Sequence, residues 1–118
     1  MGRWADLVGA RESEIVAVEL KLRDWRAALR QATAYQVGAD RAWVAMPLAE
    51  ASRAYRHRHR FEAEGVGLLA VDDQGRVRAP LPAATSPRLL PFVREKVLAT
   101  TRPADEVAAP APLRRNPP

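Results

Sequence analysis

The sequence predicts an α/β domain on three observations: an apolar run of period two over residues 15–22, a strongly helix-forming run over residues 25–32 directly after it, and a buried-strand run over residues 41–47 beyond Gly38. Strands that alternate with helices in this way form sheets covered by helices. The predicted order is β-hairpin, helix, strand, basic helix, β-hairpin, then a C-terminal helix and a loose tail.

The hairpin carries the most informative chemistry. In IVAVELKL, residues 15–22, Val16, Val18, Leu20 and Leu22 share one apolar face, which leaves Glu19 and Lys21 on the other. Residues 4–10, WADLVGA, read as the partner strand, and residues 11–14, RESE, as a four-residue loop. Pairing Ala10 with Ile15 sets the register at 8 to 17 and 6 to 19, so Asp6 and Glu19 become cross-strand neighbours with Cβ atoms roughly 5 Å apart. Two like charges so placed destabilise a sheet unless a cation lies between them, and the pair asks for a metal. A plain reading competes. A strand exposed on one face commonly carries Glu and Lys two apart, and an acidic loop is an ordinary hairpin tip. The apolar strand, the Asp at the paired position and the helix that follows together favour function.

Asp24 is a good N-cap for that helix, and Gly38 is placed to end it as a left-handed residue. Trp25, Leu29, Ala32 and Gln36 line one stripe, while Arg23, Arg26 and Arg30 lie together on another side. Gln31 and Tyr35, four apart, share one edge. By themselves they read as boundary residues of an amphipathic helix.

Asp6, then Glu19-Leu20-Lys21, then Gln31-Ala32-Thr33-Ala34-Tyr35 resembles the PD-(D/E)xK phosphodiesterase superfamily, in particular its RecB-like and Holliday-junction-resolvase-like branches with a Q-x3-Y helix. RAWVAMP, residues 41–47, stands where that superfamily has its fourth core strand. The resemblance spans residues 4 to about 75 and implies a restriction-endonuclease-like core. No proline precedes Asp6, and only three residues precede the first strand, so the usual first helix is expected to be lacking. The resemblance implies a nuclease acting on DNA, or RNA, with Mg²⁺ or Mn²⁺ held by Asp6, Glu19 and the carbonyl of Leu20. Lys21 would orient the nucleophile and stabilise the transition state, and Gln31 and Tyr35 would hold the scissile strand's backbone. A catalytically inactive nucleic-acid-binding module, or a protein-interaction module pairing through the hairpin edge as a homodimer, remains the alternative.

The charge is concentrated. Between residues 23 and 60 eight arginines face three acids, a surplus equal to the whole chain's net +5. Residues 50–64, EASRAYRHRHRFEAE, read as one helix stopped by Gly65, with Ala51, Tyr55 and Phe61 inward and Arg53, Arg56, His57 and Arg60 in one outward stripe suited to phosphates. With Arg26 and Arg30, the arginines of that stripe are the expected nucleic-acid contacts, although a solvated helix face gives the same pattern. His57 and His59 read as surface residues, because an H-x-H on a helix points its rings apart.

Residues 66–72 read as a buried strand and Asp72-Asp73-Gln74-Gly75 as a tight turn, with Gly75 in the left-handed position. A return strand from Arg76 is ended by Pro80 and Pro82, a proline-rich connection runs over residues 80–91, and residues 92–99 form a short helix. Beyond Thr101 the chain reads as a disordered tail. With 118 residues and 47% apolar composition, the sequence bounds a single domain able to bury one core. It has no cysteine, no apolar run long enough for a membrane span and no signal-peptide layout, so a cytoplasmic location is expected.

Overall fold

A computed structural model of the chain describes residues 6–11 and 13–100. Nine elements follow one another: β1 (Leu7–Arg11), β2 (Glu14–Leu20), α1 (Trp25–Tyr35), β3 (Arg41–Pro47), α2 (Leu48–Tyr55), α3 (Arg58–Glu64), β4 (Gly67–Val71), β5 (Val77–Leu81) and α4 (Pro91–Thr100). The strands form one mixed sheet in the order β1-β2-β3-β4-β5, parallel through β2, β3 and β4 and antiparallel at both edges. The predicted α/β order holds. None of the described helices is long and apolar enough to cross a membrane.

The hairpin adopts the expected register, with Ala10 opposite Ile15 and Val8 opposite Ala17. Its ladder continues to Arg11 and Glu14, so the connection is tighter than the four-residue loop expected, and Ser13 turns it with φ 72°. The apolar face of β2 is shorter than the sequence suggests. The strand ends at Leu20, and Leu20 and Leu22 are exposed.

Both sheet faces are apolar, which explains why β3 and β4 read as continuous runs without alternation. On one face Ile15, Ala17, Val44, Met46 and Leu68 pack against Trp25, Leu29 and Ala32 of α1, Ala51 and Ala54 of α2, and Phe61 of α3. Val18, Trp43, Ala45, Leu69 and Ala83 form a smaller cluster. Trp43 lies so close over Gly67 that a Cβ there would meet its ring at 2.5 Å and the Ala83 nitrogen at 2.7 Å.

Asp24 caps α1 as expected, its Oδ1 accepting the Ala27 N–H at 3.1 Å. The helix ends otherwise than predicted. Gly38 is not left-handed; the N–H groups of Gly38 and Ala39 both reach the Tyr35 carbonyl at 3.0 Å, which closes the end without a positive φ. The single basic helix expected over residues 50–64 is two helices, α2 and α3, separated by a tight turn in which Arg56 N–H reaches Arg53 O and His57 N–H reaches Ala54 O. Gly65, at φ 76°, stops α3 as foreseen. Tyr55, expected inward, is exposed at the end of α2. Pro80 lies within β5 rather than ending it, a placement that an edge strand tolerates. Trp4 and the predicted tail beyond Thr101 lie outside the described residues.

Candidate active site

The link from β2 to α1 is only four residues long, so α1 starts at the carboxyl end of the parallel strands and runs back along the sheet. Glu19 and Ile15 share the β2 face that packs on α1, so Glu19 points under the helix rather than into solvent and is 4% exposed. Tyr35 stands near the far end of α1, but helical side chains lean towards the helix start, and its hydroxyl donates to Glu19 Oε1. Gln31, one turn earlier, brings its Oε1 to 3.4 Å from the same hydroxyl. The structure therefore assembles Glu19, Gln31 and Tyr35, three of the five expected catalytic residues, from two elements.

Glu19 Oε2 has no hydrogen-bond partner among the described residues, and no cation there forms an ion pair with this carboxylate. A buried carboxylate so placed is costly unless something compensates it. Asp6 stands just before β1, where the register sets it against Glu19, and its Oδ2 accepts the Leu20 N–H at 2.8 Å. Hard oxygen donors from two carboxylates, completed by waters, suit Mg²⁺ or Mn²⁺. Among the described residues no group of three or more His, Cys, Asp or Glu gathers that could hold a metal ion.

Lys21 is half-buried and continues the sheet beyond β2 through its N–H to Ala45 O at 3.1 Å. It lines a cavity of about 330 Å³ with Leu20, Ala45, Met46, Pro47 and Asp72, at the carboxyl ends of β2, β3 and β4. Open α/β sheets bind ligands at this end. Asp72 is occupied as the turn reading requires: its Oδ1 accepts the N–H groups of Gln74 and Arg76, and its Oδ2 the Arg76 guanidinium. The Arg76 N–H foremost, then the Gln74 N–H and the Arg76 side chain, hold its carboxyl below the ordinary 3.8, against an opposing contribution from burial.

Tyr35, expected to hold the substrate backbone, is 6% exposed, and its hydroxyl donates to Glu19. Gln31 remains exposed. The arginine stripe is also rearranged. Arg53 pairs with Glu50 at 3.7 Å, and Arg56 stands in the turn that divides α2 from α3, so Arg53, Arg56, His57 and Arg60 do not form one row. Arg26, Arg30 and Arg60 instead line one groove between α1 and α3. His57 is half-buried, stacked on Trp25 at 4.7 Å between ring centroids. That stack joins distant segments, and no spacing in the sequence announces it.

No family model, curated protein or solved structure matches this chain.

Proposed function

We propose that the chain is a metal-dependent nuclease with a restriction-endonuclease-like core, hydrolysing phosphodiester bonds in DNA or RNA. The observation that carries this reading is the buried Glu19 carboxylate with an unpartnered Oε2, beside Asp6 and on the strand that continues into Lys21. Support also comes from the order of the elements, in which a hairpin bearing Asp6 and Glu19 is followed by the helix of Gln31 and Tyr35 and then by a parallel strand. Asp6, Glu19 and the Leu20 carbonyl would hold Mg²⁺ or Mn²⁺, which when bound neutralises phosphate charge and makes water a better nucleophile.

This chain's own groups do the rest. Tyr35 fixes Glu19 in one rotamer, so that the carboxylate is preorganised before a metal or substrate arrives. Lys21 brings a cation to the edge of the cavity where charge grows on the phosphoryl oxygens. Gln31, exposed beside this cluster, would bond a substrate strand through its amide N–H groups.

The test has two parts. Calorimetry should detect Mn²⁺ binding that disappears in Glu19→Gln and Asp6→Asn. Nicking of plasmid DNA or cleavage of single-stranded RNA with Mg²⁺ or Mn²⁺ should fall by at least roughly 10²-fold in Lys21→Ala, with nucleic-acid affinity little changed. Undiminished Mn²⁺ affinity in both carboxylate variants, or equal cleavage by Lys21→Ala, would remove the basis of the proposal. A second reading, a nucleic-acid-binding module without catalysis, is favoured by one observation: Asp6 already gives an oxygen to Leu20 N–H. Nucleic-acid binding by the wild type with neither Mn²⁺ binding nor cleavage would select it.

A further inference from the structure

Among the described residues five arginines pair with a carboxylate, while Arg23, Arg26, Arg30, Arg56, Arg58, Arg60 and Arg78 do not. The paired five are Arg41, Arg53, Arg76, Arg88 and Arg94. Of the others, Arg26, Arg30 and Arg60 are exposed and stand on α1 and α3. These three meet in a groove of about 590 Å³ between α1 and α3, floored by Trp25 and Leu29, with His59 and Thr33 also in its wall. The acid that lines it, Glu64, is neutralised by Arg88 Nη2 at 2.8 Å.

We propose that the α1–α3 groove is a track for single-stranded nucleic acid, with successive backbone phosphates on Arg26, Arg30 and Arg60.

Trp25 makes the track rigid. Its buried indole holds the Arg26 guanidinium 4.4 Å and the Arg60 guanidinium 5.7 Å from the ring centroid, so two cations from different helices share one support. Stacking uses the flat face of a guanidinium and leaves its N–H edge for oxygen acceptors. The order is in place before binding, so little side-chain freedom is lost when a phosphate arrives. Arg30 lies one turn beyond Arg26, about 6 Å along the helix, a separation comparable with the step between neighbouring phosphates in an extended strand.

The shape selects one strand. A concave space of this volume is on the scale of a single ligand-sized group, and a groove between neighbouring helices is narrower than a duplex. One backbone can thread it, whereas a duplex would touch only its rim. Contacts confined to phosphates carry no base readout, so binding is indifferent to sequence. The α1 end of the track, at Trp25 and Arg26, begins four residues after Lys21, so a strand lying in it approaches the carboxyl end of the sheet. The inference stands on the groove alone and does not need the metal site.

Fluorescence anisotropy in EDTA tests it, with a fluorescein-labelled oligothymidylate of fifteen residues and a duplex of the same length. The single strand should bind the wild type more tightly than the duplex. The triple variant R26Q/R30Q/R60Q should lose roughly tenfold or more in single-strand affinity, and its slope of log K against log salt should shallow by about 2, from three lost contacts at about 0.7 each. R53Q/R56Q should change affinity by less than about twofold, since its arginines lie outside the groove. Arg30→Gln touches no ring and so leaves Trp25 packing intact; alone it should shallow the slope by about 0.7. Equal affinity and slope in the triple variant, a preference for duplex, or a loss in R53Q/R56Q matching that of the triple variant would overturn the track. Glu19→Gln should bind the strand as the wild type does, so a failed metal site and a failed groove give different results.

Discussion

The two ends of the parallel strands are built on opposite principles. At the amino end, three ion pairs each join segments far apart in sequence: Glu14 with Arg41, Glu64 with Arg88, and Asp40 with Arg94. Their hydrogen bonds multiply. Asp40 also accepts the Ile15 N–H at 2.7 Å, Arg94 also donates to the Ser13 carbonyl, and Arg88 also donates to Gln36, whose amide in turn donates to the Glu64 carbonyl at 2.8 Å. At the carboxyl end the ion pairs are local, Glu50 with Arg53 and Asp72 with Arg76, and near it stand a buried carboxylate oxygen and several arginines that have no ionic partner among the described residues. Tyr35 and Gln36 are neighbours in the chain yet serve opposite ends. Matched polar groups stabilise a fold, and unmatched ones hold a position ready for something else. The proposed site lies at the less matched, carboxyl end.

The largest effect on stability should come from removing one acid at each end. Asp40→Ala leaves Arg94, with its side chain 24% exposed, and the Ile15 N–H without their shared partner, and should cost about 3 kcal/mol in urea unfolding. Glu19→Gln replaces a buried carboxylate that pairs with no cation among the described residues, so without metal the variant should match or exceed the wild type in stability. Equal losses at both ends would erase the contrast, because Glu19 would then be another structural carboxylate.

How much of this was legible in the sequence follows the same division. The period-two pattern of β2 and the pairing of Ala10 with Ile15 gave the hairpin register, because a one-residue slip would have moved every apolar side chain to the other face. Asp24, Gly65 and Gly75 were readable because capping and left-handed positions depend on local chemistry. The meeting of Glu19 with Tyr35 and Gln31 was suggested by a pattern, but the burial of Tyr35 and its hold on Glu19 were not, since both depend on how far α1 runs back along β2. The break between α2 and α3 escaped because the run over residues 50–64 contains neither Gly nor Pro. Once the helix breaks there, the arginine stripe drawn on a continuous helix cannot form. The long-range pairs of Asp40, Arg88 and Arg94 were invisible for another reason: charges distant in sequence carry no periodic signal.

A smaller contrast lies in two glycines. Gly67, at the amino end of β4, is pressed by the Trp43 ring and by the Ala83 backbone, which cannot rotate away as a flexible side chain would. Gly67→Ala should therefore cost about 2 to 3 kcal/mol by overpacking. Gly75, at the carboxyl end, has φ 81° and no heavy atom within 4 Å of an added Cβ. Gly75→Ala should cost only the left-handed conformation, about 1 kcal/mol. Reversed magnitudes in thermal unfolding would mean that the tight packing around Trp43 yields easily, against the picture of a rigid amino end.

The smallest expected effect concerns pH and Asp72. The Arg76 N–H foremost holds this carboxyl below the ordinary 3.8, so the folded state favours its ionised form. A group depressed in this way contributes stability that is fully present above 3.8 and is lost as pH falls through its lower folded value. Asp72→Asn keeps an oxygen for the Gln74 and Arg76 N–H groups and removes the charge, so it isolates that contribution. As pH falls below 3.8 the wild type should lose stability slightly faster than the variant, and above it the two should run parallel. Mn²⁺ binding should be the same in both, because Asp72 spends its oxygens within its own turn. A variant that kept the wild-type acid slope would show that the turn's charge does not matter to folding. Loss of Mn²⁺ binding would move the metal from the Asp6 and Glu19 pair to the cavity that Asp72 shares with Lys21.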